Sequence, residues 1–139
     1  MTPKNKKFFR LALLAAETST YPKYHIGAAI VAGRKVVSTG TNRWRTHTKQ
    51  KHYAQYRYDT AWEAEEDKGR CHAEVDAIIK AGRADLSGAS IYVYRQDLNG
   101  ALANCRPCGA CMQAIKEAGI KDVFYTSAEG YNHLEIIHA

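Results

Sequence analysis

Between residues 89 and 126 the chain passes through three patterns that leave few folds open. "ASIYVY" (89–94) has strand character, residues 108–118 carry a helical stripe ended by Gly119, and "DVFYT" (122–126) returns to strand character. Strand, helix and strand in that order form a βαβ unit. Its two strands pair in parallel, because the crossover helix carries the chain back to its starting edge. The parallel pair needs flanking strands. "HIGAAIVAGRKVVSTGTN" supplies two, over about 26–32 and 35–40, joined at Gly33 as an antiparallel hairpin. Two further helices are expected. Residues 5–17 show an apolar face of Phe8, Phe9, Leu11, Ala12, Leu13 and Ala16, and residues 72–82 end at Gly82.

A chain of 139 residues is long enough to bury a core as a single domain, 1–139. No apolar run approaches the roughly 18 residues of a membrane span, so no membrane partner is expected. The basic start followed by "LALLAA" resembles a targeting segment only superficially. Arg10 leads straight into the short apolar run, and one amphipathic helix accounts for both. A cytoplasmic location follows, where four cysteines point to metal or catalysis rather than disulfides. The net charge of +6 suits phosphate-bearing partners, although a solvated basic face would look the same.

Two helix starts hold residues that packing does not demand. "CHAEVDAIIKAG" places Cys71, His72 and Glu74 at the start of one helix, and "PCGAC" places Cys108 and Cys111 at the start of another. Cysteines three apart on a first turn share a side, and the helix N-terminus favours the thiolate a metal needs. If both helices lie on one face of the sheet, their N-termini converge. One nitrogen and two sulfurs then leave zinc an open position, the pattern of a catalytic rather than a structural site. That position would hold a water acidic enough to give hydroxide near neutral pH, with Glu74 carrying its proton. The rival arrangement is a closed structural site on Cys71, Cys105, Cys108 and Cys111, which leaves His72 and Glu74 without work.

His72-Ala73-Glu74 followed by Pro107-Cys108-Gly109-Ala110-Cys111 resembles the zinc-dependent cytidine and deoxycytidylate deaminase superfamily. "HIGAAIV", "GTN" and "EAGIKDVFYT" look like further segments of that family, so the resemblance covers most of the chain. It implies a three-layer α/β/α cytidine deaminase-like fold with a mixed sheet of about five strands. It also implies zinc on His72, Cys108 and Cys111, proton shuttling by Glu74, and contact of Asn42 with the sugar or base. Ala73, Arg43, Arg45 and Arg106 join Asn42 as candidate substrate-binding residues. The implied reaction is hydrolytic deamination of cytosine to uracil in a free nucleotide of the deoxycytidylate type. The alternatives are a base in single-stranded DNA or RNA, or a non-catalytic zinc-stabilised nucleic-acid binder. A homo-oligomer is expected.

Segment 43–58 has five Lys or Arg, two His, four aromatic residues and no acid, which suits phosphate contacts and base stacking. It is read as overhanging the zinc pocket, with Arg43, Arg45 and Lys49 gripping a phosphate, although Asp59 to Asp67 could neutralise it. Part of 53–66 could be helical. Three features depart from the family pattern. "RQDLNGALANC" intervenes before the Pro-Cys motif and is read as a hairpin turning at Asn99-Gly100, putting Arg95 and Arg106 near the site. Asp76 stands where deoxycytidylate deaminases more often carry Asn. The stretch 127–139 is short and gives no decided pattern.

Overall fold

The computed structural model describes residues 2–22, 24–43, 48–53, 72–97, 99 and 102–136, with the backbone alone at Gln50 and Lys51. Helix α1 spans Pro3–Glu17, capped by Thr2, whose Oγ1 accepts the Asn5 amide at 3.1 Å, with Pro3 in the first turn. Strands β1 (His25–Ala32) and β2 (Lys35–Thr41) follow, turning through Gly33 and Arg34, both at positive φ. That pair of left-handed residues matches the twist of a two-residue hairpin. A short helix α2 (Thr48–Tyr53), α3 (Ala73–Ala81), β3 (Ser90–Gln96), α4 (Gly109–Ala118), β4 (Asp122–Ser127) and β5 (Gly130–Glu135) complete the order.

The sheet runs β2-β1-β3-β4-β5. Only β3 and β4 pair in parallel among these neighbours; the other pairs are antiparallel, so the sheet is mixed as expected. Alternation along the strands divides the core into two layers. Ala28, Ile30, Ile91, Val93 and Val123 face Ala73 and Ala77 of α3 and Ile115 of α4. Ala29, Val31 and Tyr92 face Phe8, Phe9 and Ala12 of α1. On that second side Phe9 meets Tyr92 edge-on at 5.2 Å, and Tyr92 stacks on Phe124 at 4.6 Å. Such pairs add roughly 0.5–1.5 kcal/mol each beyond their buried area.

Two glycines let the helices come this close. A Cβ on Gly27 would lie 1.9 Å from the Ala12 carbonyl oxygen, and one on Gly40 would lie 2.4 Å from the Ala77 amide nitrogen. α1 and α3 therefore rest directly on backbone at opposite faces. The insertion after β3 is a hairpin: Gln96 bridges Leu102, and the Ala103 amide donates to the Arg95 carbonyl at 3.1 Å. It is stitched to the end of β4. Thr126 Oγ1 accepts from the Arg95 amide and donates to the Ala103 carbonyl, and the Cys105 amide donates to the Thr126 carbonyl.

Two elements differ from expectation. β5 arises from the undecided C-terminal stretch, and α2 lies in a segment with no apolar period. Of the expected helicity in 53–66, Tyr53 closes α2, and the rest, together with Arg45 and Cys71, falls outside the described residues.

Candidate metal centre and active site

His72 and Cys108 occupy equivalent places, each as the residue capping a helix N-terminus in extended backbone conformation. Neither side chain caps its own helix. Both are thereby left to point elsewhere, while their carbonyls accept the first helical amides, from Asp76 at 2.9 Å and Met112 at 2.8 Å. α3 and α4 pack on the same face and touch each other, so the two caps meet. Cys111, one turn into α4, completes the group and is wholly buried.

The donor atoms of His72, Cys108 and Cys111 all lie within 4.8 Å of one another. His72 Nδ1 stands 3.2 Å from Cys111 Sγ and 3.7 Å from Cys108 Sγ. Tetrahedral zinc with ordinary Zn–S and Zn–N lengths separates its donors by roughly 3.6–3.8 Å, so this set fits the ion with small adjustments. The thiols are suited to it electronically. Hydrogen bonding to Cys111 pulls the Cys108 thiol down to about 3, helped by His72. The same bond, together with burial, pushes Cys111 up. The metal-free pair thus holds one proton between two sulfurs.

Glu74, in the first turn of α3, is 4% exposed. Burial raises its pKa, while neighbouring His72 and a hydrogen bond with Cys111 pull it back. A carboxyl beside the metal ligands that holds its proton more tightly than usual can take and return protons.

The closed four-sulfur arrangement fails at Cys105. Its thiol turns into the core, 3.2 Å from the Val93 carbonyl and 3.1 Å from Thr126 Oγ1, and burial pushes it up to about 12. Among the described residues, the only group of three or more potential metal ligands is the His72 set.

The candidate substrate residues are more scattered. Asn42 is buried just past β2, where its Oδ1 accepts from Ser19 Oγ at 2.7 Å and the Ile26 amide at 2.9 Å. Its Nδ2 donates to the Tyr24 carbonyl. It thus fastens segment 19–26 to the sheet end. Ala73 is fully buried against the backbone at Gly40. Arg43 Nε donates to Asp76 Oδ1 at 3.0 Å. Arg106 is exposed, between the buried Cys105 and Pro107.

Three contributions escape sequence reasoning. Asp76, noted above only as a departure, is 5% exposed and binds the Thr41 amide, Arg43 and Lys80. It ties α3 to the end of β2. Tyr53 of α2 packs on the cluster of Val75, Cys111 and Ala114. Tyr53 of the 43–58 segment thus packs beside the ligand Cys111. Ser19 anchors Asn42 from 23 residues away, and no local pattern announces it.

Comparison with known proteins agrees with this geometry. The family model for the cytidine and deoxycytidylate deaminase zinc-binding region matches residues 2–127. Deoxycytidylate deaminase of Mycobacterium phage D29 is 31% identical over 125 residues, covering 85% of this chain and 90% of the phage protein. Deoxycytidylate deaminase of Homo sapiens is 32% identical over 132 residues, covering 86% of this chain but 62% of the human protein. The chain thus spans under two thirds of the length of its mammalian relatives.

In fold, the dCMP deaminase from cyanophage S-TIM5, solved with dCMP and dUMP, matches with a TM-score of 0.60 at 23% identity. That match covers 90% of this chain and 82% of the other. Cytidine deaminase from Burkholderia pseudomallei matches with a TM-score of 0.62 at 22% identity, over 97% and 93%. The sequence match, the fold and the nitrogen–sulfur donor set agree: the chain belongs to the zinc-binding cytidine and deoxycytidylate deaminase family.

Proposed function

We propose that the protein hydrolytically deaminates cytosine to uracil in a free deoxycytidine nucleotide, with dCMP as the reference substrate. The observation that carries this reading is the buried Glu74 carboxyl set against the His72, Cys108 and Cys111 donors. Zinc held by those three supplies Lewis acidity and makes hydroxide available near neutral pH. Glu74 takes one proton from the attacking water and gives it to the ring nitrogen, then takes the second from the new hydroxyl on C4 and gives it to the departing amine, which leaves as ammonia. Tyr53, Val75 and Ala114 wall the cluster from behind, so the polar groups act in a partly dry site.

The substrate choice rests on the deoxycytidylate deaminases among the relatives. Asn42, just past β2, and Ala73, the first residue of α3, stand at the same sheet end, consistent with contacts to sugar and base. Residues 1–139 act in this reading as a single deaminase domain. It is a cytoplasmic homo-oligomer, for which exposed Leu14, Val36 and Tyr131 offer apolar contact surface.

The test is deamination by the zinc-loaded protein of dCMP, dCTP, deoxycytidine and a cytosine-containing single strand, with Glu74→Ala as control. Turnover of dCMP, lost in the variant, supports the proposal. Turnover of the strand alone would move the function to polynucleotide editing.

A further inference from the structure

Arg95 occupies a position that its structural contacts do not exhaust. Along β3, Ile91 and Val93 face the α3–α4 layer, and strand alternation carries Arg95 to the same face one step beyond Val93. That is the carboxyl end of β3. In an open α/β sheet ligands bind outside the carboxyl ends of the parallel strands, and the chain leaves this end to build α4 and its two cysteines. The Arg95 amide donates to Thr126 Oγ1, which also meets the Cys105 thiol at 3.1 Å, so Arg95 stands against the segment that leads to Cys108. On β1, Arg95 pairs with Ile26, whose amide is held by the Asn42 side chain.

The guanidinium is pre-set. Its Cζ lies 4.5 Å over the ring of Tyr24, and Nη1 donates to the Asn104 carbonyl at 3.2 Å. Nε is buried with no hydrogen-bond partner among the described residues, and it is the only buried side-chain nitrogen or oxygen there in that state. Leaving such a donor unmatched is costly, and native structures seldom do so without a reason. A guanidinium held flat by stacking, with donors still to satisfy, suits an anion that offers several oxygens in one plane, above all phosphate.

We propose that Arg95 reads the 5′-phosphate of the substrate and so selects a nucleoside monophosphate over the bare nucleoside. This deepens, and rests on, the nucleotide deaminase reading. Arg95, next to last in β3, opens the stretch that departs from the family pattern, so that departure becomes a specificity device.

The experiment separates phosphate reading from deamination. Binding of dUMP and of deoxyuridine is measured by calorimetry on zinc-loaded wild type, Arg95→Gln and Arg95→Lys, alongside turnover of dCMP and deoxycytidine. Arg95→Gln is expected to weaken dUMP by about tenfold or more, with deoxyuridine unchanged within about twofold. The kcat/KM for dCMP should fall towards that for deoxycytidine, which itself stays put. Arg95→Lys should recover part of the dUMP affinity, because it keeps the charge and loses the fork; if Arg95→Gln does not fold, the Lys variant decides, by weakening dUMP alone.

Equal loss for both ligands would reduce Arg95 to a brace for the hairpin and overturn the proposal, as would no loss at all. Wild type that binds dUMP no better than deoxyuridine would overturn it too. Wild type that binds dUMP through Arg95 yet deaminates nothing would instead sink the deaminase reading and leave the phosphate anchor standing.

Discussion

Glu74 is held where its own charge is unwelcome, and that conflict gives the residue both its chemistry and its cost. Replacing it with Gln preserves shape and hydrogen bonding but removes the exchangeable proton. We expect Glu74→Gln to lower turnover by about 10²–10⁴-fold, while bound zinc remains stoichiometric by atomic absorption. Loss of the metal together with activity would mean that Glu74 acts on the ligands instead. The same substitution should stabilise the metal-free protein, in a pH-dependent way. The folded pKa of Glu74 lies above its ordinary value of 4.5 because of burial. The folded chain therefore keeps a proton that the unfolded chain has already released above that pH. Its contribution to stability is fully present below 4.5 and drains away as pH rises through the folded value. Metal-free Glu74→Gln should consequently melt higher than metal-free wild type at pH 8 and close to it at pH 4. Equal melting at both values would show that the buried carboxyl carries no such penalty.

At the level of elements, the site depends on how closely helices approach the sheet. Gly40 allows α3 to rest on β2, so Gly40→Ala must push the helix that begins at His72 away from the strand that leads to Asn42. We expect a loss on the order of 3 kcal/mol, seen as a melting temperature lower by roughly 10 °C. Retained stability would mean that α3 can shift without strain. Asp76 holds the same junction by polar contacts. Asp76→Ala should cost about 2 kcal/mol by stranding the buried Thr41 amide. Asp76→Asn can still accept that amide and should cost less, since half-exposed Arg43 and Lys80 add little. Chemical denaturation of the pair measures the difference, and equal losses would assign the tie to the cations. These junctions also explain what was legible beforehand. The runs containing Ile30 and Val93 read plainly as strands because both are buried under helices. β5 did not, because its half-buried positions are Gly130, Asn132 and Leu134, while the more exposed Tyr131 and His133 lie against Phe9 and Phe124 at the sheet edge. An edge strand with so little apolar alternation has no period to detect. α2 was invisible for a related reason: its one described packing residue is Tyr53.

Across the whole molecule, the metal centre joins helix starts 36 residues apart in sequence. Its ligands could be read from the chain because each half obeys local helix-start spacing. Around the proposed substrate contact Asn42 only that residue was legible, through resemblance, because Ser19 and Tyr24 join it only when the sheet closes. Zinc therefore acts as a cross-link between α3 and α4, and its binding must be coupled to the protons on the two thiols. In the metal-free state Cys108 is already ionised at neutral pH, whereas Cys111 keeps its proton. Entry of zinc requires both thiolates and so should expel about one proton, taken from Cys111. Calorimetric titration in buffers of different ionisation enthalpy reads that number directly. With one proton released, affinity should then rise about tenfold per pH unit for as long as Cys111 keeps its proton in the free protein. At fixed free zinc the metal's stabilisation should grow with pH by about 1.4 kcal/mol per unit. A second proton that appears only as pH rises through the titration of water on the metal belongs to that water; release of about two throughout would mean that both thiols are protonated in the free protein. Release of none would mean that both are thiolates before the metal arrives, and that the shared proton inferred from the Cys108–Cys111 contact does not exist.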